Sequence, residues 1–302
     1  MSQAMTDAKV KRLLAAGYGS GRDENYQAWI RIRRKLSSPV SNLHCMTSPV
    51  YTRSLNLLSG LEHAAANVAL WLGCNEIREQ HPFWPWDHPH PGTGRHPDLD
   101  RSFSHAPGLL EIAKSAGIKH GVYPGTNVPF VATIDFTLST GMWASSSLVH
   151  WSCKPWAVLN EAANRERILE RIEMERLYSA AVGARHVLVD GRLFSAHLIG
   201  QLDWFRPLRS EMLNPAIVGP IREFSEHFMC VAADSLSIAK HFAAQKAKVP
   251  DHLVEVIFRT AAWLGYIDLD FSRPIVMSRP LRRDENKLKR SLSMALLGVE
   301  HA

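Results

Sequence analysis

The sequence predicts an α/β fold, a mixed sheet flanked by helices, followed by a C-terminal helical module with the pattern of a winged helix. Three observations carry that reading. Two stretches rich in β-branched and apolar residues, VPFVATIDFTLS (128–139) and WASSSLVHWSCK (143–154), stand on either side of Thr140 and Gly141, as in a hairpin. Helical stretches precede and follow them, the first opened by a capping box. After residue 204 the texture changes to helices closed by a short hairpin, so domains are drawn at 1–204 and 205–302.

The elements follow in order. Residues 1–37 begin with a short helical pattern and a loop, GYGSG, whose glycines match no phosphate-loop spacing and mark a turn. SPVYTRSLNLL (48–58) is a short extended stretch. SGLEHAAANVALWLG (59–73) is a helix: Ser59 is the N-cap, Glu62 stands three residues on, and Gly73 is the stop. NEIREQHPFWPW (75–86) is a strand running into a His- and Pro-rich loop, 81–107. His88 and His90 lack a third ligand at metal spacing, so a rigid loop is expected there. GLLEIAKSAGIK (108–119) is a short helix, and the hairpin strands come next.

A long amphipathic helix is expected from Asn160 to Val182, dense in Arg and Glu at i, i+4 spacing, and ARHVLVDG (184–191) closes the unit as a buried strand. SLSIAKHFAAQKAKVPDHLVEVIFRTAAWLGYIDLDFSRPIVMSRPL (235–281) reads as helix, turn, helix and two short strands. Its second helix starts near Pro250, and the order is that of a helix-turn-helix with a wing.

Composition narrows the function classes. The chain of 302 residues is 46% hydrophobic and 21% charged, a globular balance, and no apolar window is long enough for a membrane span. The N-terminus carries no apolar run with a small-residue cleavage site, so a cytoplasmic protein is expected. Cys45, Cys74, Cys153 and Cys230 are scattered without a CxxC pair, which argues for reduced thiols. The net charge of +6 favours polyanions, nucleic acid foremost. Its basic residues gather in two knots. One is Arg31, Arg33, Arg34 and Lys35; the other includes Arg279, Arg282 and Arg283. Such runs are either solvated surface or nucleic-acid contacts.

One constellation can carry chemistry. Glu62 opens the first helix, Asp135 stands among apolar residues in VATIDFTL, Lys154 ends the next strand in HWSCKPW, and Glu175 lies in ERIEMERLY. Each has a plain structural reading as well: a capping box for Glu62, an arginine partner for Asp135, a solvent-reaching stem for Lys154, a solvated helix face for Glu175. Alternation puts Ser152 and Lys154 on one strand face, with Trp151 and Cys153 on the other. With a turn at Thr140 to Met142, Asp135 and Lys154 are not equidistant from it, so a bulge or slipped register is needed. Carboxylates from separate elements beside a lysine match the needs of metal-assisted phosphodiester hydrolysis.

Taken in order, SGLEHAAANVALWLGCNEIREQHPFW, GIKH followed by TIDF, SCKPW and ERIEMERLY resemble the TnsA family, endonuclease subunits of heteromeric bacterial transposases. The similarity runs from about Ala16 to Asp190. The resemblance implies a restriction-endonuclease-like nuclease that uses Mg2+, with Mn2+ as a substitute. Glu62, Asp135 and Lys154 fall on the family's catalytic positions, and Glu175 on a further acidic position tied to activity. Metal ligands implied in this way are Glu62 and Asp135, with Ser152 and the Cys153 carbonyl as further oxygens. The implied partners are transposon-end DNA, a DDE-type transposase subunit and an AAA+ ATPase regulator, and the implied reaction is cleavage of the non-transferred strand at the 5′ ends. Three features depart from the family. Ser152 stands where an acid or glutamine is usual, Ile134 replaces a proline, and the 87–107 loop is longer. A stand-alone restriction or repair nuclease and a non-catalytic DNA-binding scaffold are the alternatives.

Overall fold

The computed structural model describes residues 5–32, 42–140, 147–161 and 163–299. Along the chain the elements are α1 Asp7–Ala15, β1 His44–Met46, β2 Leu55–Leu57, α2 Gly60–Trp71, β3 Glu76–Phe83, α3 Pro97–Asp100, α4 Leu109–Ser115, β4 Ala132–Thr140 and β5 Ser147–Cys153. They continue with α5 Trp156–Asn160, α6 Arg165–Ala181, β6 Arg185–Val189, α7 Ala196–Phe205, α8 Arg209–Met212, α9 Pro215–Val218, α10 Ile221–Cys230, α11 Leu236–Lys246, α12 Asp251–Leu264 and α13 Lys287–Leu297. Two compact units emerge. One holds Met1–Cys45, Asn56–His63 and Cys74–Gly191; the other holds Met46–Leu55, Ala64–Gly73 and Arg192–Ala302.

The first unit is the expected mixed sheet. Its strand order is β3-β4-β5-β6, antiparallel across the first two pairings and parallel between β5 and β6. The parallel pairing requires a crossover, which α6 supplies. α6 lays Met174, Tyr178 and Val182 against Phe83, Leu109 and Ile134, a core of side chains at most 5% exposed. A second cluster gathers Val10 of α1 with Trp29, Tyr123 and Val131.

β3 is buried along its whole length although EIREQHPF is mostly polar. Burial is tolerable because its polar groups are paired. Arg22 and Ser139 bond the Glu76 carboxylate, Arg78 donates to the Pro91 carbonyl, and His81 bonds Thr137. The His- and Pro-rich loop after β3 is tied down as expected of a rigid loop. His88 lies 2.8 Å from the Tyr178 hydroxyl, and His90 2.9 Å from the Val182 carbonyl.

Several local expectations are corrected. Thr140 pairs with Ser147, so six residues separate β4 from β5, and the expected turn residues Gly141 and Met142 lie outside the described residues. With that connection no bulge or slipped register is needed: the pair Phe136–Trp151, continued by one, sets Asp135 across from Ser152. The helix expected from Asn160 begins at Arg165 instead, after the separate α5. Arg165 itself closes α5, its Nε donating to the Leu159 carbonyl at 2.8 Å. β6, expected to be buried, ends the strand order and leaves Arg185 and Leu188 exposed.

The second unit is helical. Phe205, Phe224, Phe228 and Phe258 form its aromatic core, with Phe271 edge-on to Phe205 and Trp71 edge-on to Phe271. α11 and α12 form the expected helix pair, and the second helix starts at Asp251 with Pro250 as its cap. The two wing strands expected after it are not formed among the described residues. Pro274 and Pro280 lack backbone donors, and the segment instead bonds back to the start of α11, with Leu236 N–H on the Arg279 carbonyl and Ser237 N–H on that of Met277. The chain then forms α13, which buries Leu292, Leu296 and Leu297.

Candidate active site

The site forms where the entrance of α2 meets the adjoining ends of β4 and β5. At the helix entrance the Ser59 hydroxyl accepts the Glu62 N–H at 3.1 Å, the N-cap half of the expected box. The other half is displaced by one residue, since the Glu62 carboxylate takes the N–H of Leu58, at 2.8 Å. It also takes the Ser59 hydroxyl at 3.3 Å and the Gln80 amide at 3.2 Å. Glu62 is 6% exposed, and burial together with the neighbouring Asp135 charge pushes its pKa up to about 7.

Asp135 comes from β4. Its Oδ2 accepts the Lys154 ammonium and the Cys153 N–H, each at 2.7 Å. Lys154 Nζ also reaches the Cys153 carbonyl at 3.2 Å. Burial alone would lower the Lys154 pKa, but Asp135 and Glu175 outweigh it and hold the ammonium above its usual value. The register accounts for the meeting: Asp135 lies across from Ser152, and Lys154 follows on the same face two residues later.

Glu175 arrives from α6. Met174, Glu175, Tyr178 and Ser179 are the buried face of that helix, a helical spacing that aims the carboxylate inward. The Ser152 hydroxyl donates to Glu175 and lies 2.8 Å from His186 Nε2. Because serine has one proton and gives it to Glu175, the imidazole presents its own N–H to the serine oxygen. Burial raises the Glu175 pKa, with Lys154 opposing, and burial lowers that of His186 to about 4. The Cys153 thiol, on the opposite face, is pushed up by burial and is inert at neutral pH.

The donor set fits a hard divalent cation. Burial raises the pKa of both Glu62 and Glu175, and the neighbouring Asp135 charge adds to the rise while Lys154 opposes it. Among the described residues no three or more His, Cys, Asp or Glu side chains enclose a metal position by themselves. An ion here would rest on one or two carboxylates, with water and phosphate completing the shell, as is usual for Mg2+.

The structure thus brings together Glu62, Asp135, Ser152, Cys153, Lys154 and Glu175. The basic residues fare differently. Arg31 is described and exposed, 5.6 Å over the Tyr18 ring, whereas Arg33, Arg34 and Lys35 lie outside the described residues. Arg279 and Arg282 line a cleft of about 270 Å³ in the second unit with Arg273 and Asp270, and exposed Arg283 lies 3.4 Å from Asp268. Gln80 and His186 belong to the site's polar network although sequence reasoning passes over both. No local signal marks either: EIREQHPF is mostly polar around Gln80, and His186 stands in a strand with exposed neighbours.

The sequence is similar to a transposition protein. Over 180 residues it is 28% identical to the Transposon Tn7 transposition protein TnsA of Escherichia coli, a match covering 59% of this chain and 54% of that protein. The chain therefore spans about half the length of that curated relative. No family model matches the sequence. The similarity to TnsA agrees in direction with the resemblance read from the motifs. Among the described residues, no helix is long and apolar enough to cross a membrane.

Proposed function

We propose that the chain is a divalent-metal-dependent DNA endonuclease of the TnsA kind, a transposase subunit that hydrolyses the non-transferred strand at the 5′ ends of a transposon. The observation carrying this reading is the convergence of Glu62, Asp135 and Lys154 at one end of a mixed sheet, with Lys154 2.7 Å from Asp135. The similarity to a transposition protein supports the biological setting.

Glu62 and Asp135 would hold the cation, with the Cys153 carbonyl beside them. When bound, Mg2+, or Mn2+ in its place, supplies an activated water and offsets charge on the phosphate. Lys154 keeps its proton in this setting and stands ready to stabilise the negative charge that grows on the scissile phosphate. Glu175, held by Ser152, supplies the carboxylate that the strand position lacks. Arg31, with Arg33, Arg34 and Lys35, and Arg279, Arg282 and Arg283 would track the DNA backbone, and the α11–α12 helix pair would serve as a docking module. A DDE-type transposase subunit and an AAA+ ATPase regulator are the expected partners.

The test is nicking of end-labelled transposon-end DNA with Mg2+ or Mn2+, with the transposase subunit present. Wild type is expected to nick and Asp135→Ala to bind DNA without nicking. Equal cleavage by both would remove the site assignment, and DNA binding without cleavage by either would favour a scaffold.

A further inference from the structure

Gln80 combines an unusual backbone with an unusual set of partners. It lies inside β3 at φ 47°, the left-handed region that residues other than Gly, Asn and Asp rarely enter. The ladder pairs Glu79 with Phe136 and His81 with Ile134, but Gln80 turns its carbonyl out of it to accept the Trp29 N–H at 3.3 Å. If the turn alone mattered, glycine or asparagine would suit the position better. Glutamine is kept there with its side chain enclosed, 2% exposed.

Both ends of that side chain are engaged. The amide nitrogen donates to Glu62 Oε2 at 3.2 Å, and the amide oxygen accepts the Thr133 hydroxyl at 2.9 Å. An ionised carboxylate only accepts, so the nitrogen must face Glu62 and the oxygen Thr133. Glu62's remaining partners, Leu58 and Ser59, come from its own helix entrance. Gln80 is the bridge from that carboxylate to the sheet. Thr133 and Asp135 stand two apart on one face of β4, so the chain Thr133–Gln80–Glu62 fixes one carboxylate against the strand that carries the other.

We propose that Gln80 is a positioning residue for Glu62, its left-handed backbone aiming the side-chain amide so that the Glu62 and Asp135 carboxylates are held at the separation a divalent cation needs. This rests on the nuclease reading above. Residues that orient metal-binding carboxylates typically contribute about 10- to 100-fold in affinity or activity.

The experiment uses the full chain with Mn2+ as probe, measuring Mn2+ affinity by calorimetry, nicking with the transposase subunit present, and thermal melting. Gln80→Gly accepts the backbone angle without strain but has no amide. It is expected to melt within a few degrees of wild type while Mn2+ affinity and nicking both fall about 10- to 100-fold. Thr133→Val, which frees the far end of the amide, is expected to weaken Mn2+ binding in the same direction, and Thr133→Ser, which keeps the hydroxyl, to restore it. Wild-type Mn2+ affinity and nicking in Gln80→Gly would overturn the inference alone, as would losses that merely follow a large drop in melting temperature. A wild type that neither nicks nor binds Mn2+ better than Glu62→Gln would overturn the nuclease reading and this inference with it.

Discussion

Lys154 keeps its charge although it is partly buried. Burial works against the proton, and Asp135 at 2.7 Å with Glu175 nearby works for it more strongly. The ammonium is therefore available as a fixed cation beside the carboxylates rather than as a base. Lys154→Met should retain the fold and metal binding but slow single-turnover nicking by about 100-fold or more, the usual cost of removing a donor to developing charge. Nicking within a few-fold of wild type would remove Lys154 from the chemistry. At this scale the sequence spoke clearly only where a charge interrupts an apolar strand, as at Asp135 and Lys154. Ser152 was conspicuous as a departure, but its two partners come from α6 and β6, 23 and 34 residues away. No local pattern encodes such a meeting.

Elements bring these residues together through ordinary secondary-structure rules. The capping box starts α2 and so fixes Glu62, the β4–β5 register places Asp135 across from Ser152, and the inward face of α6 carries Glu175 with Tyr178 and Ser179. Tyr178 also stacks 3.9 Å from Phe83, and its hydroxyl meets His88 Nε2, joining α6 to the loop after β3. Tyr178→Phe keeps the stacking and leaves a buried imidazole nitrogen without its partner. It should destabilise the protein by about 1–3 kcal/mol, read from the denaturant midpoint, with little change in nicking. An unchanged midpoint would mean that water replaces the hydroxyl. Strand and helix identities were legible because period and capping are local. The β4–β5 register was not, since it depends on the number of residues between the strands rather than on the strands themselves. The wing was misjudged for a related reason: IDLDF and RPIVM have strand-like composition, but two prolines and the start of α11 decide where their backbone groups bond.

Across the molecule, protonation sets two opposing trends in stability. Burial lowers the pKa of His81 and His150 well below 6.5, lowers that of His186 to about 4, and lowers those of His88, His90 and His120, all of which belong to the first unit. For each, the unfolded chain binds a proton that the folded chain refuses. The stability is whole above about pH 6.5 and is lost as pH falls through that value. Glu62, joined by Glu175 with its raised pKa, runs the other way. Its folded pKa of about 7 lies above the unfolded 4.5, so the folded state holds a proton between those values and loses stability as pH rises through them. The histidines outnumber it and include two enclosed rings, so wild type should lose melting temperature on acidification from pH 7 to pH 5. Glu62→Gln removes the Glu62 part of the counter-trend and leaves that of Glu175. It should therefore be more stable than wild type at pH 8, by roughly 3 kcal/mol at most, and should fall more steeply than wild type between pH 7 and pH 5. Melting curves of the two proteins at half-unit pH steps decide the matter. Parallel curves would mean that Glu62 titrates at its ordinary value and that burial beside Asp135 does not hold a proton on it.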